Sequence, residues 1–263
     1  MPANLRKTYE QSSIHDGWES VYRGNPRQDR LNDALMDRIV AEVGAPPDGL
    51  FLDAGCGVGD QAIRIAKRGY RCMGVDISST ILADARRRVD ELHLDDRVSF
   101  SCQGLEDLGF DAVFDAVHCR GVLMHIPDWE RALASLCRAV KPGGALVIVE
   151  TNTQGLELAL VKLVRTVQHR KSEMRETPGG VEFWSTHNDE PFVVRVTRQS
   201  RIVELMRDNG VRAERRLPTE FIDPHRFGGG FLRNTMIQVN RLYLGLGLPA
   251  RFTSSNLVIG RKA

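Results

Sequence analysis

Cysteine is sparse in this chain and follows no pairing pattern. The five among 263 residues (Cys56, Cys72, Cys102, Cys119 and Cys137) are odd in number and contain no C-x-x-C, which argues against a disulfide framework and a thiolate zinc centre. No His, Asp, Glu or Cys spacing matches a known ligand set, and the neighbours His118 and Cys119 point to opposite faces of a strand; no metal is expected. The opening MPANLRKTYE lacks the apolar stretch of a secretory leader. No uncharged apolar run approaches the roughly 20 residues of a membrane-spanning helix, the most apolar long helical segment being broken by Glu157, Lys162 and Arg165. Repeats and low-complexity tracts are absent, and aromatic residues make up only 6%. With 42% hydrophobic and 27% charged residues, the composition is that of a soluble globular protein large enough to bury a core without staples. A cytoplasmic location is expected.

The net charge of +2 conceals an asymmetry. Residues 1–150 carry 18 basic and 23 acidic side chains, residues 151–190 carry 5 and 6, and residues 191–263 carry 13 and 5. The basic tail offers two readings, a phosphate or nucleic-acid surface and a solvated face. Its scattered arginines, without a Lys/Arg run or interleaved aromatics, favour the second.

Along the chain, Leu31, Leu35, Ile39, Val40 and Val43 recur at helical spacing before Gly44 and a Pro-Pro loop. Apolar runs at 50–54, 71–76, 98–102, 112–118 and 145–150 then alternate with helical segments at 60–68, from Ser78, and from Asp128 to Val140, the last ended by Lys141-Pro142-Gly143-Gly144. Short apolar runs separated by amphipathic helices spell an α/β fold, doubly wound on a mostly parallel sheet. After Glu150 the rhythm breaks. An amphipathic segment at 155–171 and a polar, Gly- and Pro-containing stretch at 172–191 read as a lid insertion. Regular structure resumes with a helix at 199–209, strands at 211–217 and 256–262, and a helix near 231–244. The chain divides into an arm and first helix (1–45), a cofactor-binding core (46–151), the lid (152–198) and a closing part of the core (199–263) with a second insertion at 218–252.

The chemistry concentrates at Leu50-Phe51-Leu52-Asp53-Ala54-Gly55-Cys56-Gly57-Val58-Gly59-Asp60, where a buried strand empties into a glycine turn. Without Cβ atoms the backbone can turn sharply and approach a ligand over the strand's carboxyl end. Twenty-one residues after Gly55, the second strand ends on Asp76, a carboxylate suited to ribose hydroxyls. The turn is G-x-G-x-G flanked by Asp53 and Asp60, rather than the G-x-G-x-x-G that receives a diphosphate. Two acids there repel phosphate and complement a nucleoside with a cationic amino acid part. Asp53 has a second reading, capping the turn through its own amides.

The segments LDAGCGVGD, GVDIS, FDAVHCRGVLMHIPD and RAVKPGGALVIVE, in that order, resemble the class I S-adenosylmethionine-dependent methyltransferases. The resemblance covers about residues 30–151 and, in outline, 199–209, 211–217 and 256–262. It implies a Rossmann-like seven-stranded sheet with an antiparallel last strand, S-adenosyl-L-methionine as cofactor and methyl transfer; the long insertion after the fifth strand, placed to form a lid, points to a small-molecule acceptor. By that resemblance Gly55 and Gly57 pass under the methionine portion, Asp53 lies near its amino group, Asp76 receives the ribose and Ile77 packs on the adenine. The turn after the third strand, D-A-E-D-L in many relatives, reads Gly104-Leu105-Glu106-Asp107-Leu108 here. The Leu105 amide is kept for the adenine ring, but the first carboxylate is missing, which leaves Gln103 or Glu106 for the adenine amine. Cys119 and Arg120 fall where relatives line the gap between cofactor and acceptor. Arg120 either holds a ligand anion or pairs with Asp128 or Glu150.

His125 is the candidate general base, with organisation of its loop as the alternative role, and His187 and His225 are further candidates. Trp18 and Tyr22 either close over the cofactor or staple the arm, and Phe183 and Trp184 read as lid packing. Two other functions remain in view: methylation of RNA or a phosphorylated substrate, and a non-catalytic, cofactor-binding assembly protein. A nicotinamide-linked oxidoreductase ranks below these because of the glycine spacing and the flanking acids.

Overall fold

Capping residues written in the sequence set the bounds of the first helix. In the first helix, α1 (Pro26–Val43), the Asn25 side chain accepts from the Arg27 amide, Pro26 occupies the first turn and Gly44 closes the helix at φ 57°. The computed structural model describes residues 8, 25–167, 173–187, 190–224 and 230–263. Trp18, Tyr22 and His225 lie outside the described residues, as does the His187 side chain.

From α1 the chain runs β1 (Leu50–Ala54), α2 (Asp60–Ala66), β2 (Arg71–Asp76), α3 (Ser79–Glu91), β3 (Val98–Cys102), β4 (Phe114–Arg120), α4 (Trp129–Ala139) and β5 (Val140–Thr151). After α5 (Leu156–Val167) come β6 (Glu173–Thr177), β7 (Gly180–His187) and β8 (Glu190–Thr197). The chain closes with α6 (Gln199–Asp208), β9 (Val211–Glu220), α7 (Gly230–Gly245) and β10 (Ser255–Lys262). The main sheet has seven strands in the order β3-β2-β1-β4-β5-β10-β9. β1 pairs in parallel with β2 and β4, β2 with β3 and β4 with β5, whereas β10 lies antiparallel between β5 and β9. The strand order reverses beside β1, and a crevice opens at such a switch point at the carboxyl ends of the strands.

Alternation along the central strands feeds two cores. Leu52, Val117, Leu146, Ile148 and Val258 pack with α4 and α6 on one face. Phe51, Ala116, Val147, Leu257 and Ile259 pack with α1 and α2 on the other. Because both faces are covered, the strands read as continuous apolar runs, which is why their positions were visible in the sequence.

The structure corrects three expectations. Lys141-Pro142-Gly143-Gly144 is not a turn ahead of β5 but its bulged beginning: Phe114 pairs with Val140 and Ala116 with Ala145, and the intervening residues bow out. Asp128 occupies the N-cap position of α4, but its side chain makes no capping hydrogen bond. Most of the polar stretch 172–191 is sheet. β6, β7 and β8 form a separate antiparallel sheet, with Thr177 and Gly180 paired across the turn between its first two strands.

Arg195 of β8 fastens that small sheet to the core. It is 1% exposed, and its guanidinium meets Glu182 Oε1 through Nε and Nη2 at 3.0 and 2.8 Å. Nη1 donates to the Leu123 and Ile126 carbonyls at 2.9 and 3.1 Å, and the group stacks 5.4 Å from the Trp129 ring centre. Along β8 the side chains alternate: Val193, Arg195 and Thr197 are buried, whereas Phe192, Val194 and Val196 line a cavity.

Candidate functional site

That cavity, about 810 Å³, lies over the carboxyl ends of β1, β2, β4 and β5 and is walled on the far side by α5 and β8. Its size suits a cofactor with a small second ligand. At its floor Gly55, Gly57 and Gly59 adopt φ of 71°, 53° and 79°. A Cβ on Gly55 would sit 2.3 Å from Val122 Cγ2, so the turn and the loop after β4 are packed backbone to side chain. Asp76 braces the same turn, Oδ2 accepting from the Gly57 amide at 2.9 Å and Oδ1 from the Ser78 amide at 3.0 Å.

Asp53 is 2% exposed. Its Oδ1 lies 3.0 Å from His118 Nδ1, directly across the β1–β4 ladder, and its Oδ2 is buried without a hydrogen-bond partner among the described residues. The Gly55 and Cys56 amides go instead to the Val75 carbonyl. Turn capping by Asp53 is therefore corrected to pairing with His118, and one buried carboxylate oxygen stays unsatisfied at a residue lining the cavity. Asp60 is paired with Arg88, so of the two acids flanking the turn Asp53 is the one without a cation from an arginine or lysine side chain.

Ile77, Gln103, Gly104 and Leu105 border the cavity, and Glu106 does not. The Glu106 carboxylate is tucked beneath Gly104, whose Cβ would lie 3.3 Å from Oε2. Burial raises its pKa, and both oxygens lack partners.

Arg120 also borders the cavity. Its Nη2 donates to Asn32 Oδ1 at 3.1 Å and lies 3.5 Å from Glu220 Oε1, so its partner is Glu220 on β9 rather than Asp128 or Glu150. Cys119 is fully buried in the core and does not line the cavity. His125 is half-buried, its Nδ1 3.2 Å from the Val193 carbonyl and its ring 5.3 Å from that of Phe192. Because a carbonyl only accepts, Nδ1 carries the hydrogen and Nε2 the lone pair. Burial pushes the His125 pKa down to about 4, which keeps the ring neutral at pH 7.

From the sequence alone Glu150 stands out only as a partner for Arg120. Standing at the end of β5, its Oε1 accepts from the Val122 and Leu123 amides at 3.0 and 2.8 Å, while Oε2 is buried and without a partner. Burial raises its pKa to about 7 against the amides' opposing pull. Its signal was present in the sequence: a carboxylate closing an apolar strand, as Asp53 and Asp76 do. Glu157, Glu220 and Asp223 join it on the lining.

Several of the tail's arginines meet acids. Arg201 pairs with Glu130, Arg207 with Asp208, Arg215 with Glu42, and Arg212 and Arg261 with Glu214. Among the described residues, no helix is long and apolar enough to cross a membrane.

Residues 52–148 match the family model described as a methyltransferase domain. The methyltransferase GfsG of Streptomyces halstedii is 32% identical over 129 residues, 48% of this chain and 45% of that protein. A ubiquinone biosynthesis O-methyltransferase of Coxiella burnetii is 34% identical over 102 residues, 38% and 43% respectively. The matched region thus spans a little under half the length of these relatives. Among solved structures, magnesium protoporphyrin IX methyltransferase from Synechocystis PCC 6803 superposes with a TM-score of 0.65 at 20% identity, covering 98% of both chains. Geranyl diphosphate C-methyltransferase from Streptomyces coelicolor A3(2) does so at 0.58 and 18% identity, covering 89% of this chain and 80% of that one. At these identities the superpositions establish a shared fold.

Proposed function

We propose that this chain, whose residues 52–148 match a methyltransferase-domain model, is a class I S-adenosylmethionine-dependent methyltransferase that transfers a methyl group from S-adenosylmethionine to a small-molecule acceptor. The observation that carries the reading is the buried, unsatisfied Asp53 Oδ2 beside a glycine turn too close to Val122 to tolerate a side chain. Such an oxygen fits an ammonium and disfavours a diphosphate. Asp53 and the glycine backbone would hold the methionine portion, Asp76 the ribose hydroxyls, and Ile77, Leu105 and Gln103 the adenine.

Bound there, S-adenosylmethionine supplies a methyl group already activated on a sulfonium, so the residues have mainly to orient two ligands, an effect that can lower a barrier by roughly 7–11 kcal/mol. α5 and the β6–β8 sheet serve as the cover that excludes water. His125 Nε2 can take a proton from the acceptor. With a pKa near 4 it is a weaker base than Glu150, and its larger contribution is to hold β8 through Val193. The free cysteines fit a reducing cytoplasm, and the acid-paired arginines favour a small acceptor over nucleic acid.

Calorimetry with S-adenosylhomocysteine and NADH tests the reading. The wild-type protein should bind the first and not the second. Asp53→Asn, which keeps a partner for His118, should weaken binding by about 1.5–3 kcal/mol, the contribution of a hydrogen bond to a charged group. Retention of NADH with no binding of S-adenosylhomocysteine overturns it.

A further inference from the structure

We infer that the acceptor end of the cavity selects an apolar molecule carrying a proton-donating head group, an ammonium or a hydroxyl, which Glu150 receives, and excludes molecules that present a carboxylate or phosphate there. The inference rests on the methyltransferase reading for the role of the other end.

The lining divides into two zones. Leu158 and Val161 of α5 with Phe183, Phe192, Val194 and Val196 of the small sheet make an apolar wall. The lining also carries the carboxylates of Glu150, Glu157, Glu220 and Asp223, and its two cations among the described residues are already engaged, Arg120 by Glu220 and Arg64 by Asp29 and Asp33. A ligand anion entering this end would meet carboxylates with no unspent positive charge, while an apolar body finds a matching surface.

Glu150 turns a general preference into a specific one. Its side chain is 1% exposed, and Oε1 is held by the two amides after β4. Oε2 accepts nothing from the described residues. Among the described residues, two on the lining leave a buried carboxylate oxygen unsatisfied in this way, Asp53 and Glu150. The cofactor's ammonium would satisfy the first, which leaves the second for the acceptor. A donor N–H or O–H completes it; a ligand carboxylate cannot. The same oxygen can first take a proton from an ammonium, freeing the nitrogen lone pair, or take the hydroxyl proton as its oxygen attacks; the nucleophile's lone pair then bonds to the methyl carbon and the carbon–sulfur electron pair departs with sulfur.

The groups bearing electrostatically on Glu150 are Arg195 of β8 and Cys119 of β4. Gln199 of α6 and Ser255 of β10 donate to its backbone carbonyl, and Asn256 lies opposite it on β10; none of these three titrates.

The test compares 4-butylbenzylamine, 4-butylbenzyl alcohol and 4-butylbenzoate as binding probes at pH 8, with and without saturating S-adenosylhomocysteine, for the wild type and Glu150→Gln. The amide keeps a carbonyl for Val122 and Leu123 and removes the charge from the second position, so folding and S-adenosylhomocysteine affinity should be retained. The ammonium probe should bind at least tenfold more tightly than the benzoate, with the alcohol between them, and Glu150→Gln should erase at least fivefold of that ratio. Equal or tighter binding of the benzoate, an unchanged ratio in Glu150→Gln, or no binding of any probe overturns the inference. Failure of S-adenosylhomocysteine to bind strikes the methyltransferase reading instead, because the probe ratio is read independently in its absence.

Discussion

Gly55 shows how a single position ties the glycine turn to the loop after β4. A methyl group there meets two penalties, the left-handed backbone at φ 71° and the Val122 side chain 2.3 Å away. The first costs roughly 1–2 kcal/mol for a residue with a Cβ, and the second depends on its neighbour. Gly55→Ala should therefore be strongly destabilised in urea unfolding, and Gly55→Ala with Val122→Ala should recover part of the loss. Strictly additive costs would count against the packing account. Asp53 and Asp76 were legible in the sequence because each is an acid closing an apolar strand beside glycines. Glu150 carries the same signature without the glycines and passed as an ion-pair partner. His118 was hidden because its pairing with Asp53 depends on strand register, which sequence spacing across 65 residues does not encode.

For elements, the α/β alternation from 50 to 150 was readable because the central strands are buried on both faces and several helices carry a cap or a glycine stop, Ser78 for α3 and Gly69 after α2. The small sheet was not. Its strands interleave polar residues with apolar ones, and its first turn presents Pro178, Gly179 and Gly180, so the stretch reads as loop until Arg195 is seen to be buried and paired. Breaking a buried pair by removing one partner costs about 3–5 kcal/mol, whereas replacing both with apolar side chains is often neutral. Arg195→Ala should accordingly loosen β6–β8, seen as faster amide hydrogen exchange there than in β1, β4 and β5. Arg195→Met with Glu182→Leu should restore much of the protection. Equal exchange in the wild type and Arg195→Ala would show that the sheet is held by other contacts.

Across the whole molecule, two half-hidden ionisations push stability in opposite directions with pH. Glu150 has its pKa raised from 4.5 to about 7, so the folded state holds a proton the unfolded chain has released, and stability falls as pH rises through that window. At about 1.36 kcal/mol per unit the span is roughly 3 kcal/mol. His125 is lowered from 6.5 to about 4, so its contribution is lost as pH falls from 6.5 towards 4, by less than its shift implies because the ring is partly open to the cavity. Glu106 and Glu220, also raised by burial, add to the Glu150 direction. Unfolding measured from pH 4.5 to 7 should show Glu150→Gln gaining steadily on the wild type as pH rises. His125→Gln should gain on it as pH falls; parallel profiles would contradict both assignments. The alternation along β8 has a consequence on a longer timescale. Because residues 192, 194 and 196 line the cavity while 193, 195 and 197 are buried in the protein, substitutions at the first three can reshape the cavity while leaving the architecture untouched. Descendants of this sequence have a route to new chemistries on which tolerance of mutation and invention of specificity draw on different side chains of one strand.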